Sequence, residues 1–157
     1  MKKALRCLSG VTITLALVLL NSGKLHGQEL EENDPDANYG LVYFIRGKGH
    51  AGSATAFSAL IDGKRVCKLN NRRFSRHEVS PGEHEFSAQF GGKEGKKKAE
   101  LIQIDIEAGK TYYVQMIMQA SFWVNDVRAQ EITRNSALRL KEDDEIKLDP
   151  ECGELIE

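Results

Sequence analysis

Residues 99–119 read AELIQIDIEAGKTYYVQMIMQ, and this stretch decides the fold class. Ile102, Ile104 and Ile106 alternate with Gln103, Asp105 and Glu107, the period-two pattern of a strand with one buried and one solvated face. Ala108-Gly109-Lys110 interrupts the run. Residues 112–118 are then apolar on both faces apart from Gln115, which predicts a central strand.

The same texture extends in both directions. Short apolar runs occupy residues 39–46, 55–61, 65–69, 73–79 and 84–90, with a further strand inside 121–132. They are separated by turn residues at intervals of roughly ten, the signature of a sandwich or barrel. Asp62-Gly63 suits a two-residue hairpin, because both residues tolerate positive φ. Pro81-Gly82 suits a type II turn and would place Val79 opposite His84 and His77 opposite Phe86. After Thr133 the period changes, and Ala137, Leu138 and Leu140, capped by Asn135 or Ser136, predict a short helix. The expectation is an all-β, antiparallel β-sandwich of about seven or eight strands, immunoglobulin-like or transthyretin-like, with a short C-terminal helix.

The N-terminus reads as a secretory signal over residues 1–27. Lys2, Lys3 and Arg6 form a charged start, residues 11–20 are apolar but for Thr12 and Thr14, and a small polar stretch ends at Gly27. A spanning helix needs about 20 apolar residues, and Asn21, Ser22 and Lys24 end this run too early. The nearby Cys7 precedes the apolar run, where a lipidation cysteine would have to follow it. The reading is export to the periplasm or cell envelope without a lipid anchor. The mature chain then has no transmembrane segment.

Loss of Lys2, Lys3, Arg6 and Lys24 leaves 18 basic and 23 acidic residues. The charge is unevenly spread. Residues 28–36 carry five acids and no base, residues 142–157 have a net charge of −7, and residues 37–141 have a net charge of +7. Residues 28–38 are expected to be an acidic flexible leader, 39–141 the β-sandwich, and 142–157 an acidic flexible tail. Cys67 and Cys152 remain, and an oxidising compartment makes them a candidate disulfide.

Candidate chemistry is sparse. Gly47-Lys48-Gly49-His50-Ala51-Gly52 fits G-x-G-x-x-G, but a dinucleotide site needs a helix there inside a βαβ unit. The residues that follow read as a strand, so a connection between strands is the better account and no cofactor is expected. Lys64, Arg65, Lys68, Arg72, Arg73 and Arg76 gather around one hairpin, and Lys96, Lys97 and Lys98 in one loop. They are candidates for binding an anionic partner outside the cytoplasm; a solvated edge that discourages strand aggregation is the bland alternative. Export argues against nucleic acid. His77 and His84 are candidates for a metal-dependent or hydrolytic site, which would require a concave pocket with a histidine in reach of Ser or Asp. Phe122 and Trp123 read as core or as a partner anchor.

Five landmarks, Tyr43-x-x-Arg46, Gly52 before a small-residue strand, Asp62-Gly63, Pro81-Gly82-x-His84 and Ala108-Gly109-x-Thr111-Tyr112-Tyr113, resemble a bacterial family of unknown function. Its members are small exported β-sandwich domains, often lipoproteins. The resemblance implies a sandwich in the cell envelope and no catalytic residues. The combined expectation is a non-enzymatic binding or structural module that contacts an envelope protein, glycan or lipid headgroup.

Overall fold

The computed structural model describes residues 30–49, 54–91, 101–120 and 125–152. The signal segment, Lys96, Lys97, Lys98, Phe122 and Trp123 lie outside the described residues. Every expected apolar run contains a strand: β1 Gly40–Arg46, β2 Phe57–Ile61, β3 Lys64–Leu69, β4 Arg73–Val79, β5 Gly82–Phe90, β6 Ile102–Ile106, β7 Thr111–Ala120 and β8 Asn125–Ile132. Helix α1 (Arg134–Asp143) and a two-residue strand β9 (Lys147–Leu148) follow. Two sheets pack face to face as a sandwich, one ordered β8-β7-β1-β4-β9 and the other β3-β2-β5-β6.

Two ladders depart from the antiparallel expectation. β1 pairs with β7 in parallel, from Leu41 opposite Thr111 to Ile45 opposite Gln115, and β4 pairs with β9 in parallel. Parallel neighbours need long crossovers, and the chain between β1 and β7 supplies one by building the entire second sheet. The Pro81-Gly82 expectation also needs correction. β4 and β5 belong to different sheets, so this turn is an arch across the sandwich and not a hairpin. Strand β5 pairs with β2 and β6 instead, placing Ile104 opposite His84.

The inter-sheet core contains Val42, Phe44, Phe57, Ala59, Phe86, Ala88, Ile106, Val114 and Val127. A second apolar cluster lies on the far face of the five-stranded sheet, where Leu41, Tyr43, Ile45, Phe74 and Tyr113 meet Leu30, Ala137 and Ile146. Strand β1 is therefore buried on both faces, which is why it reads as a continuous apolar run. Helix α1 roofs this second face. Its N-cap is Thr133, whose side chain accepts from the Ser136 N–H; the cap lies two residues before Asn135 and three before Ser136, the two expected caps.

Described residues of the leader and tail touch the sandwich at particular points. Leu30 is only 6 % exposed. The tail passes through β9 to Cys152, which is bonded to Cys67 with their Cα atoms 5.4 Å apart. Cys67 lies on edge strand β3 and Cys152 follows edge strand β9, so the bridge joins one edge of each sheet.

Candidate functional site

At one end of the sandwich the β2–β3 hairpin meets the β4–β5 arch. Asp62 and Gly63 turn at φ +50° and +74°, the conformation a two-residue hairpin requires. The turn aims the Asp62 carboxylate at β5. Its Oδ1 accepts the Glu85 N–H at 2.9 Å, and its Oδ2 lies 2.7 Å from Nδ1 of His84. The other ring nitrogen of His84, Nε2, is 3.0 Å from the Ser80 carbonyl oxygen and 3.4 Å from the Ser80 hydroxyl. Burial alone would raise the Asp62 pKa, but the Glu85 N–H, His84 and the charge of Lys64 hold it below the usual value. A cleft of about 390 Å³ opens beside these groups, with apolar walls of Ile61, Val66 and Val79 and with Lys64 and Glu78 also lining it.

His77 does not share this site. It sits on β4 in the other sheet, 3 % exposed, edge-on to Phe44 and 2.9 Å from the Ser75 hydroxyl. Burial pushes its pKa down to about 4, because a charged imidazolium is poorly solvated in an apolar core. The pairing of His77 with His84 rested on a β4–β5 hairpin and falls with it. Among the described residues, no group of three or more His, Cys, Asp or Glu side chains is placed to hold a metal ion.

The basic residues divide between the sheets. Lys64, Arg65 and Lys68 are exposed on β3, at the edge of the four-stranded sheet. The others belong to the opposite sheet or its border. Arg76 lies 3.1 Å from Glu31 and 3.5 Å from Glu78, Arg72 stands 4.0 Å from Glu145, and Arg73 opens β4 beside β9. The six residues are thus not one patch.

The partner of Arg76 comes from the leader, which crosses the five-stranded sheet as a strap. The Glu31 N–H donates to the Tyr43 hydroxyl at 3.0 Å, and the Tyr113 hydroxyl donates to the Glu31 carbonyl at 3.2 Å. Arg134 pairs with Glu32 at 2.8 Å, the Thr111 N–H donates to Asn33, and the Asp34 N–H donates to the Gly109 carbonyl. Gly109 has φ +77°, and a Cβ there would stand 2.5 Å from the Asp34 carbonyl oxygen. The glycine admits both the turn and the strap.

Arg46 of the Tyr43-x-x-Arg46 run has a structural role. Its guanidinium is buried, donates to the carbonyls of Thr55 and Leu69 at 2.8 and 2.7 Å, and lies 3.6 Å from the Phe57 ring centre. Burial lowers its pKa to about 10. Asp62, Ser80 and His84, from two turns and a strand, meet beside the cleft, and of these three the sequence singles out His84 alone for chemistry. Asp62 and Ser80 are read from sequence only as turn residues, since nothing local announces that Asp62 will meet a histidine 22 positions away or that the chain will bring Ser80 against the same ring.

The model of a family described as a protein of unknown function (DUF2846) matches residues 36–130. This chain belongs to that family. The DUF2846 match takes in the basic edge of β3 and all three cleft residues, Asp62, Ser80 and His84. Strap residues 30–35 precede it, and α1, β9 and Cys152 follow it. No curated protein and no solved structure matches the chain.

Proposed function

We propose that this chain is an exported, non-catalytic cell-envelope module that holds an anionic partner, an acidic protein or glycan surface, against the edge of β3. The observation that carries this reading is the exposure of Lys64, Arg65 and Lys68 along one edge strand, while Glu31, Glu32 and Glu145 pair with Arg76, Arg134 and Arg72. Edge strands present backbone groups as well as side chains to a partner, and three cations add a salt-sensitive attraction. Export is supported by the charged start and apolar run of residues 1–27 and by the Cys67–Cys152 bond, which suits an oxidising compartment. No helix among the described residues is long and apolar enough to cross a membrane.

The non-catalytic reading takes the contacts of His84 as ties between hairpin and arch, with Nε2 3.0 Å from the Ser80 carbonyl and 3.4 Å from the Ser80 hydroxyl. The test is binding of the mature chain to its native envelope fraction at low and high salt. The triple reversal Lys64→Glu, Arg65→Glu and Lys68→Glu should abolish a salt-sensitive interaction while leaving the unfolding curve in place. Unchanged binding by the triple variant would sink the proposal.

A further inference from the structure

We propose that His84 is a proton-operated clasp between the β2–β3 hairpin and the β4–β5 arch and that it governs the placement of the basic hairpin. The clasp stands on geometry alone; its effect on a partner rests on the β3 reading above.

Both ring nitrogens of His84 face acceptors. Nδ1 meets the Asp62 carboxylate at 2.7 Å and Nε2 meets the Ser80 carbonyl at 3.0 Å. A neutral imidazole carries one N–H and can serve one of them, whereas an imidazolium donates to both. With a proton at Nε2, the ring bridges the hairpin at Asp62 to the arch at Ser80. When Nε2 returns that proton to solvent, its lone pair confronts the carbonyl. A donor within reach is then the Ser80 hydroxyl, 3.4 Å away. The same three residues thus have two bonding patterns that differ by one proton.

The surroundings are few and definable. The hairpin brings Asp62 and Lys64, β4 brings Glu78 and the arch brings Ser80. Strand β6 presents the paired Ile104, and its Gln103 and Asp105 alternate to the opposite face, as Glu83 and Glu85 do on β5. Asp62 stands two residues before Lys64, the first cation of the basic edge. Opening the clasp frees the hairpin tip from the arch, and closing it fixes Lys64 against the cleft.

The experiment is amide hydrogen exchange by NMR on the mature chain at about pH 5.5 and about pH 8, on either side of the ordinary histidine range. Rates are corrected for the intrinsic pH dependence of exchange. The Asp62 and Glu85 amides, which bond to the Glu85 carbonyl and the Asp62 carboxylate, should be about fivefold better protected at the lower pH, the effect of one hydrogen bond. His84→Gln should show equal protection at both values. Ser80→Ala keeps the carbonyl and should retain the acid-side protection, so the proposal remains testable if His84→Gln fails to fold. Equal protection in the unmodified chain overturns the clasp, as does its loss in Ser80→Ala. Covalent labelling of Ser80 by a fluorophosphonate overturns it in favour of a nucleophilic site. Exchange is read without any partner, so a failed clasp and a failed contact edge are distinguishable.

Discussion

The two sheets share one apolar interface and meet solvent on different terms. The five-stranded sheet has a second apolar face, and α1 and the strap cover it. Acids of the strap and tail stand beside arginines of β4, its border and α1: Glu31 with Arg76, Glu145 with Arg72, Glu32 with Arg134. The four-stranded sheet instead ends in an edge whose Lys64, Arg65 and Lys68 are exposed. Glu31, Glu32 and Glu145 thus serve as counter-charges on the roofed side, and the basic residues of β3 face outward.

The largest test of this comparison is the bond that holds the two sheets together at their edges. Cys67→Ser combined with Cys152→Ser opens a loop between residues 85 positions apart and should cost about 4 kcal/mol in denaturant unfolding. A loss under about 1 kcal/mol would mean that the shared core alone sets the register of the sheets.

The inner face of the roofed sheet supplies the next test. Burial holds His77 at about 4, against 6.5 for an ordinary histidine. A histidine depressed in the folded state contributes stability that is fully present above the unfolded value and is lost as pH falls toward the folded one. Stability should therefore drop by about 3 kcal/mol between pH 6.5 and pH 4. His77→Phe removes the titration, so its unfolding free energy should fall less steeply over that window. An identical slope in both proteins would assign the acid sensitivity to other groups.

The roof can be loosened by itself. Leu30→Ala withdraws the strap's apolar anchor and should cost about 2 kcal/mol, at the low end for a buried leucine. Protease cleavage within residues 30–36 should accelerate, while binding through β3 stays as it was. If partner binding fell along with strap docking, the two sheets would not be functionally separate.

The strands were legible in the sequence because period-two alternation and Asp62-Gly63 are local signals. Which strands share a sheet was not. Pro81-Gly82 looks the same whether the chain returns along its own sheet or crosses to the other, and that choice is made by long-range packing of β5 against β2 and β6. The strap was hidden for a similar reason. One leucine among five acids reads as disorder until a second apolar face, invisible to local pattern, is there to receive it. Of the candidate site, His84 and the β3 cations were legible; Asp62 and Ser80 were not, because turn chemistry accounted for them fully.

The smallest effect is expected at the open end of the four-stranded sheet. Asp62→Asn keeps a residue that tolerates the positive φ of the hairpin and keeps an oxygen for the Glu85 N–H. What it removes is the charge facing His84. Because the Asp62 carboxyl is held below its usual pKa, it contributes stability above the ordinary carboxylate range that is lost as pH falls through the lowered value. The side chain is about half exposed, so solvent screening limits the loss at neutral pH to about 0.5 kcal/mol. The difference from the unmodified chain should shrink toward zero once Asp62 is protonated. A deficit that persists unchanged into strong acid would show that the asparagine had disturbed the turn itself. A deficit that fades with protonation would place the contribution of Asp62 in its charge, as the clasp requires.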